Sequence, residues 1–348
     1  MDIYRMDSVP WMDTQLFYHA RARSEHSGLF LFSPKSPYVC VGLHQVLEQA
    51  VHLAYCKEAQ VPLFRREMGG GTVYLDEGCL CCQIVLPRAH PLAQGSHQAF
   101  HRRLLQPLLD VYHALGVAAT VRPVNVLEVN GRKLADTGVA EIGTSVVFSA
   151  TLFLNMDKTL LPRLFRAANY TNAAGFADPA SQELTSLNRE VKELPEKTAL
   201  FDLLEQHWAL LLGPLVPREI DATLRDGAED VRIRLCSPVW LFRGERRYRL
   251  RNMRVRTGIA VRHHLFQSPG GLIQAAVEFD EDLYRIISVF FSGDFFIYPS
   301  EALFWLEQAL EGVYPEDTLA ALKKVYKMLS LETPGISPED WYKALGFD

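Results

Sequence analysis

An α+β protein, built on a mixed β-sheet with flanking helices and followed by a smaller C-terminal α/β unit, is the fold class that these 348 residues predict. The length exceeds one ordinary compact core and suggests two domains. Hydrophobic residues make up 48% and charged residues 22% of the chain, the balance of a polypeptide that folds throughout. Strand-like and helical stretches intermix without strict alternation, which favours a mixed sheet over a doubly wound parallel one.

Taken in order, a helix-compatible stretch around Leu16 to Ala20 precedes two β-rich runs, 28–32 and 38–42, separated by Ser33-Pro-Lys-Ser-Pro37. A helical stretch near Val46 to Glu58 leads to Val61-Pro-Leu-Phe64, a glycine loop, and the strand Cys81 to Leu86. From His97 to Leu115 apolar residues recur at helical spacing, so one face of that helix covers a sheet. Strands are expected at 119–121, 124–129 and 145–153, a loop at Asn169 to Gln182, and a helix at Glu196 to Leu212 with Leu200, Leu203, Leu204, His207, Leu211 and Leu212 on one side. Gly213-Pro-Leu-Val-Pro217 breaks that helix, and a basic strand-like region runs from Tyr248 through Arg262. The end of the chain reads as β-β-α-α: strands 274–279 and 286–291, then helices 300–310 and 316–329. The expected boundary lies near residue 245, giving domains 1–244 and 245–348.

A net charge of -5 argues against a surface built to neutralise a nucleic-acid backbone. No apolar run reaches membrane-spanning length, and Met1 to Asp13 lacks the apolar core of a signal peptide, so a cytoplasmic protein is expected. The six cysteines are too few and too clustered for a disulfide framework and suit a reducing compartment. Cys79-Leu-Cys-Cys82 sits in an apolar strand without metal-site spacing, so no metal site is expected there. His263 and His264 are adjacent on a strand and point to opposite faces, which excludes a two-ligand site.

The chemistry concentrates at Arg65-Arg-Glu-Met-Gly-Gly-Gly-Thr-Val-Tyr74. Gly69, Gly70 and Gly71 give a backbone free to adopt positive φ and to approach a ligand closely. Two preceding arginines add donors suited to phosphate or carboxylate. Taken alone, such a loop is more often a turn than an anion cradle, and it has neither Walker nor Rossmann spacing. Lys133 taken alone is equally compatible with an ordinary hairpin, since Asn130-Gly131 is a strong turn signal.

Residues 65–76 resemble the RRxxGGGxVxHD signature of the lipoate-protein ligase A family, within the biotin and lipoate ligase superfamily. Asn130-Gly-Arg-Lys-Leu134 resembles its second signature, whose lysine contacts both carboxylate and phosphate. Val41-Gly-Leu-His-Gln45 is similar to its ligand-lining strand end, and Ala150-Thr-Leu-Phe-Leu-Asn155 to its GTLLLN strand. Thr185 to Leu194, Ser237-Pro-Val-Trp240 and Phe290 to Val313 resemble later segments, the last of them in the accessory domain that some members carry fused. The resemblance implies a ligase-type catalytic domain that activates lipoate as an acyl adenylate with ATP and Mg2+, then transfers it to a lysine of a small lipoyl-domain acceptor. It assigns catalysis to Lys133 and ligand binding to Gly42, Arg66, Gly69, Gly70, Gly71, Thr72, Val73, Tyr74, Asp136 and Thr151. Two anions must be held together in that reaction, and a compact lysine cation suits the task.

Three departures stand out. Leu75 and Ser149 replace family histidines, and the family's GSA after the lysine is altered to Leu134-Ala-Asp-Thr-Gly138, which puts an acidic Asp136 near the expected phosphate site. Two other functions therefore stay open at this point: an ATP-independent octanoyl or lipoyl transferase, and a noncatalytic acyl- or adenylate-binding module. The thiol-dependent form of the transferase is disfavoured, because no cysteine lies between Cys82 and Cys236.

Overall fold

Strand alternation decides the architecture. In the computed structural model, which describes residues 1–122, 124, 126–166, 184–245, 247 and 258–347, β1 (Asp2–Val9), α1 (Asp13–Arg23), β2 (Gly28–Pro34) and β3 (Tyr38–Val41) open the chain. The helical stretch expected over 46–58 is two short helices, α2 (Leu47–Ala50) and α3 (Leu53–Glu58). Next come β4 (Leu63–Arg65), β5 (Val73–Leu75), β6 (Cys79–Pro87) and α4 (His97–Ala114). A small antiparallel sheet of β7 (Thr120–Arg122), β8 (Val126–Val129) and β9 (Arg132–Lys133) carries the Asn130-Gly131 turn.

The strand expected over 124–129 begins only at Val126, because Val124 takes a positive φ of 67°. Then follow β10 (Ala135–Ile142), β11 (Ser145–Phe153), α5 (Leu161–Leu164), α6 (Leu187–Glu190), α7 (Lys197–Leu212), β12 (Val216–Pro217), α8 (Ala222–Leu235) and α9 (Pro238–Leu241). Strands β1, β10 and β12 and helix α8 had no counterpart in the sequence reading. The expected loop 169–182 lies outside the described residues.

The main sheet has the order β10-β11-β6-β2-β1-β12. Strand β1 is parallel to both β2 and β12, whereas β2-β6, β6-β11 and β11-β10 are antiparallel, so the sheet is mixed as expected. Period-two alternation sends neighbouring side chains to opposite layers. On β2, Leu29 and Leu31 join α4 and α7 on one face, while Phe30 and Phe32 join α1 and α8 on the other. The face that α7 buries is Leu200, Phe201, Leu204 and Trp208. Trp208 and Phe201, absent from the expected stripe, displace His207 and Leu211 from its centre because large aromatics bury the most area.

The C-terminal unit is an antiparallel sheet of β13 (Ile259–Ser268), β14 (Gly271–Asp280) and β15 (Arg285–Gly293), covered by α10 (Ala302–Gln308), α11 (Thr318–Leu329) and α12 (Pro338–Ala344). The expected β-β-α-α ending is thus a three-stranded sheet with three helices among the described residues. The strand anticipated from 248 starts at Ile259, and 248–257 lies outside the described residues. Among the described residues no helix is long and apolar enough to cross a membrane.

The two units meet through a polar joint. The ring nitrogens of His97, at the start of α4, lie 2.9 Å from the Glu141 carboxylate on β10 and 3.1 Å from that of Glu332 in the C-terminal unit, and its backbone N–H donates to Glu332 at 2.9 Å. Tyr298 stacks on the His97 ring, with centroids 4.1 Å apart, and donates its hydroxyl to the Val139 carbonyl.

Candidate functional site

Two segments some sixty residues apart in sequence meet on one cavity. Its volume is about 820 Å³, and it lies between α1, the α1-facing side of the main sheet, the glycine loop, and residues 267–272 and 293–296 of the C-terminal unit. Arg66, Gly70, Gly71, Thr72, Val73 and Tyr74 line one wall. Lys133, Asp136 and Thr151 line another. Gly42 and Gly69 do not line it.

The arginine and glycine segment is held from behind. Arg65 is fully buried; its Nη1 donates to the carbonyls of Gly42 (2.8 Å) and Gln45 (2.7 Å), and its Nε to that of Leu241 (2.9 Å). Glu245 lies 3.6 Å from its Nη2, and burial draws the Arg65 pKa down to about 10. Trp240 donates its indole N–H to the Arg65 carbonyl at 2.8 Å. Arg66 Nη2 donates to the carbonyls of Gly69 and Gly71, both at 2.7 Å, and its Nη1 to that of Cys40 at 3.2 Å. The guanidinium therefore fixes the shape of the loop, a role that motif reading, which treats arginine as a ligand donor, does not show.

Glycine is required here by contact as much as by torsion. A Cβ on Gly42 would lie 1.8 Å from the Gly70 carbonyl oxygen. One on Gly69 would lie 2.6 Å from the Phe295 carbonyl oxygen. Gly70 has φ +80°, a Cβ there would come within 2.7 Å of the Phe296 ring, and its N–H donates to the Phe295 carbonyl at 2.9 Å. Thr72 donates to the Gln45 side-chain oxygen at 2.8 Å. Tyr74 is buried against the core, which pushes its hydroxyl pKa well up.

Lys133 is half-buried on β9, and its ammonium pairs with the Asp136 carboxylate. Asp294, at the β15 end of the C-terminal unit, lines the same cavity; burial raises its pKa, partly offset by the Lys133 charge. Its carboxylate accepts the Leu272 N–H. Asp294 had no assigned role in the sequence reading, because only the fold brings the C-terminal unit against the glycine loop.

Cys79, Cys81 and Cys82 are buried thiols whose pKa values burial raises, that of Cys81 to about 12. Leu75 packs in the core, where the family histidine would have been a polar group. His263 is exposed and its neighbour His264 packs against Gly346.

Residues 11–208 match the model of the lipoyl protein ligase A/B catalytic domain. A probable lipoate-protein ligase A of Mycoplasma pneumoniae is 29% identical over 143 residues, which is 40% of this chain and 40% of that protein. The match thus spans well under two thirds of that relative. Among solved structures, P. falciparum LipL1 in complex with lipoate aligns with a TM-score of 0.66 at 13% identity, over 99% of this chain and 97% of that one. A bi-partite lipoate protein ligase from Thermoplasma acidophilum, studied with its E2 lipoyl domain, aligns with a TM-score of 0.59 at 17% identity, over 69% of this chain and 96% of that one. These likenesses establish a shared fold.

Proposed function

As the chain belongs to the lipoyl protein ligase A/B catalytic-domain family, we propose that it is an ATP-dependent lipoate-protein ligase. The observation that carries this reading is the meeting of the 65–76 and 130–136 segments on one cavity, which the Lys133–Asp136 pair and Asp294 of the C-terminal unit also line. In the first step an oxygen of the lipoate carboxylate attacks the α-phosphorus of ATP and pyrophosphate leaves. In the second, an acceptor lysine amine attacks the acyl carbonyl and AMP leaves. Lys133 serves the first step by stabilising both anions as they approach, and holding them in attack geometry supplies about 7 to 11 kcal/mol of the barrier.

Magnesium accompanies ATP in such reactions, and Asp136 and Asp294 are carboxylates that line the same cavity as Lys133. When ATP binds, Lys133 exchanges the Asp136 carboxylate for phosphate and acyl oxygens. Gly70 can offer its N–H to a phosphate only once the Phe295 carbonyl has withdrawn. The acceptor we propose is a lipoyl domain, of the kind paired with the Thermoplasma ligase. The domain division that accompanies this reading is 1–244 for catalysis and 245–348 for the accessory unit. A thiol-dependent transferase fits poorly, because Cys40, which lines the cavity, is buried and its thiol pKa is raised.

The test is mass spectrometry of an apo lipoyl domain incubated with the protein, lipoate, ATP and Mg2+. The reading requires one lipoyl addition in the complete mixture and none without ATP. Modification from octanoyl-carrier protein without ATP would put a transferase in its place.

A further inference from the structure

We infer that His97, Glu332 and Tyr298 are positioning residues for nucleotide binding: the joint they form holds Phe295 and Phe296 in the glycine loop, and its release frees the Gly70 N–H for a phosphate. The role given to the phosphate rests on the ligase reading above.

Residues 295–298 follow β15, and their side chains alternate between the two units. Phe295 and Ile297 enter the core of the C-terminal unit. Phe296 and Tyr298 pack instead against the main unit, Tyr298 in the layer that holds α4 and Phe296 against both layers. Their rings stack on each other, with centroids 6.4 Å apart and planes 18° from parallel.

This run is gripped at both ends. At the glycine loop, the Phe295 carbonyl accepts the Gly70 N–H at 2.9 Å, and the Phe296 ring fills space left by two missing side chains. A Cβ on Gly70 would lie 2.7 Å from that ring, and one on Gly138 would lie 3.0 Å from it. At the far end, Tyr298 and Glu332 exchange backbone hydrogen bonds of 2.9 and 3.0 Å. His97 holds both of these residues, since its ring lies against the Tyr298 ring and Glu332 accepts its backbone N–H. His97 is anchored in turn by Glu141, which Arg88 pairs at 2.5 Å. Contacts therefore run without a break from His97 through Tyr298 and Phe296 to Gly70.

A phosphate at Gly70 must compete with the Phe295 carbonyl, and whatever strengthens the far joint strengthens that competitor. The apparent nucleotide affinity is then the intrinsic one multiplied by the fraction of molecules in which the loop is free. Glu332 should have the larger share of control, because its carboxylate meets His97 at both the ring and the backbone. Its side chain is 31% exposed, which screens the pair. Tyr298 adds one neutral bond, from its hydroxyl to the Val139 carbonyl beside Gly138. Damage to an ordinary structural contact would weaken ligand binding, whereas release of this joint strengthens it.

The experiment is amide hydrogen exchange at Gly70 together with ATP titration, on the full-length wild type, Glu332→Ala, Tyr298→Phe and the control Glu339→Gln, which breaks an exposed ion pair with Lys323 in the same unit. Exchange at Gly70 should quicken about tenfold in Glu332→Ala and about threefold in Tyr298→Phe, with the main sheet and the control unchanged. ATP should bind more tightly by similar factors, about tenfold and about threefold. Unchanged exchange at Gly70, exchange that quickens equally through the main sheet, or ATP bound no more tightly by the faster-exchanging variants would overturn the inference. If no form binds ATP, the ligase reading falls, and exchange at Gly70 alone decides whether the joint controls the loop.

Discussion

The arginine and glycine segment, 65–72, and the lysine hairpin, 126–136, face the same cavity but are held in opposite ways. Arg65 and Arg66 aim their donors at backbone carbonyls of their own chain, and Gly42, Gly69 and Gly70 are packed too closely to admit a side chain. Lys133 has one carboxylate partner and a half-buried side chain. The first region is a scaffold whose ionised groups support fold and loop shape. In the second, the cation has a partly exposed carboxylate as its partner and can exchange it for a ligand, as a group that meets developing charge must do. Two signature motifs on one cavity can thus serve different ends.

Breaking the scaffold should give the largest effect. Arg65→Met leaves Glu245 buried without its partner and removes donors from three carbonyls, so urea denaturation should show a loss of about 3 to 5 kcal/mol. Lys133→Ala should barely move that curve yet lower adenylate formation about 10² to 10³-fold, the cost of one charge-stabilising group. If Lys133→Ala unfolds the protein instead, the contrast between the two regions fails. Gly70→Ala, strained by its φ of +80° and its contact with Phe296, should cost about 1 to 3 kcal/mol of stability.

The most gradual effect is one of pH, and it belongs to the scaffold. His19 is fully buried, accepts the Glu67 N–H at its Nε2 and donates to the Gln15 carbonyl from Nδ1, and burial lowers its pKa to about 4. The Glu67 carboxylate, bonded to Arg23 and Arg234, and the Tyr18 ring also face it. Because the unfolded chain takes up this proton below its ordinary pKa of 6.5 and the folded chain only near 4, stability is flat above pH 6.5. It falls by at most about 1.4 kcal/mol for each pH unit between 6.5 and 4. His19→Gln should flatten the urea midpoint against pH by one proton.

Much of this was legible in the sequence and part was not. The mixed sheet, helices α4 and α7 and both motif segments were visible because apolar periodicity and glycine runs are local signals. Strand β1, with the sequence Asp-Ile-Tyr-Arg-Met-Asp-Ser-Val, hid because it reads as polar, although Ile3 and Tyr4 are buried against opposite layers. Lys133, Asp136 and the glycine loop could be placed together only through resemblance, since nothing in their spacing fixes a distance in space. Asp294, Phe296, Ser149 and Gln83 join the cavity through domain docking and strand register, which are properties of the whole chain.

The most direct test of the central claim is lipoate-dependent exchange of radiolabelled pyrophosphate into ATP, measured for the wild type and Lys133→Ala with folding checked in parallel. Exchange that needs lipoate and falls at least a hundredfold in a folded Lys133→Ala variant is the predicted result. Exchange unchanged in that variant, or none from the folded wild type, would contradict it.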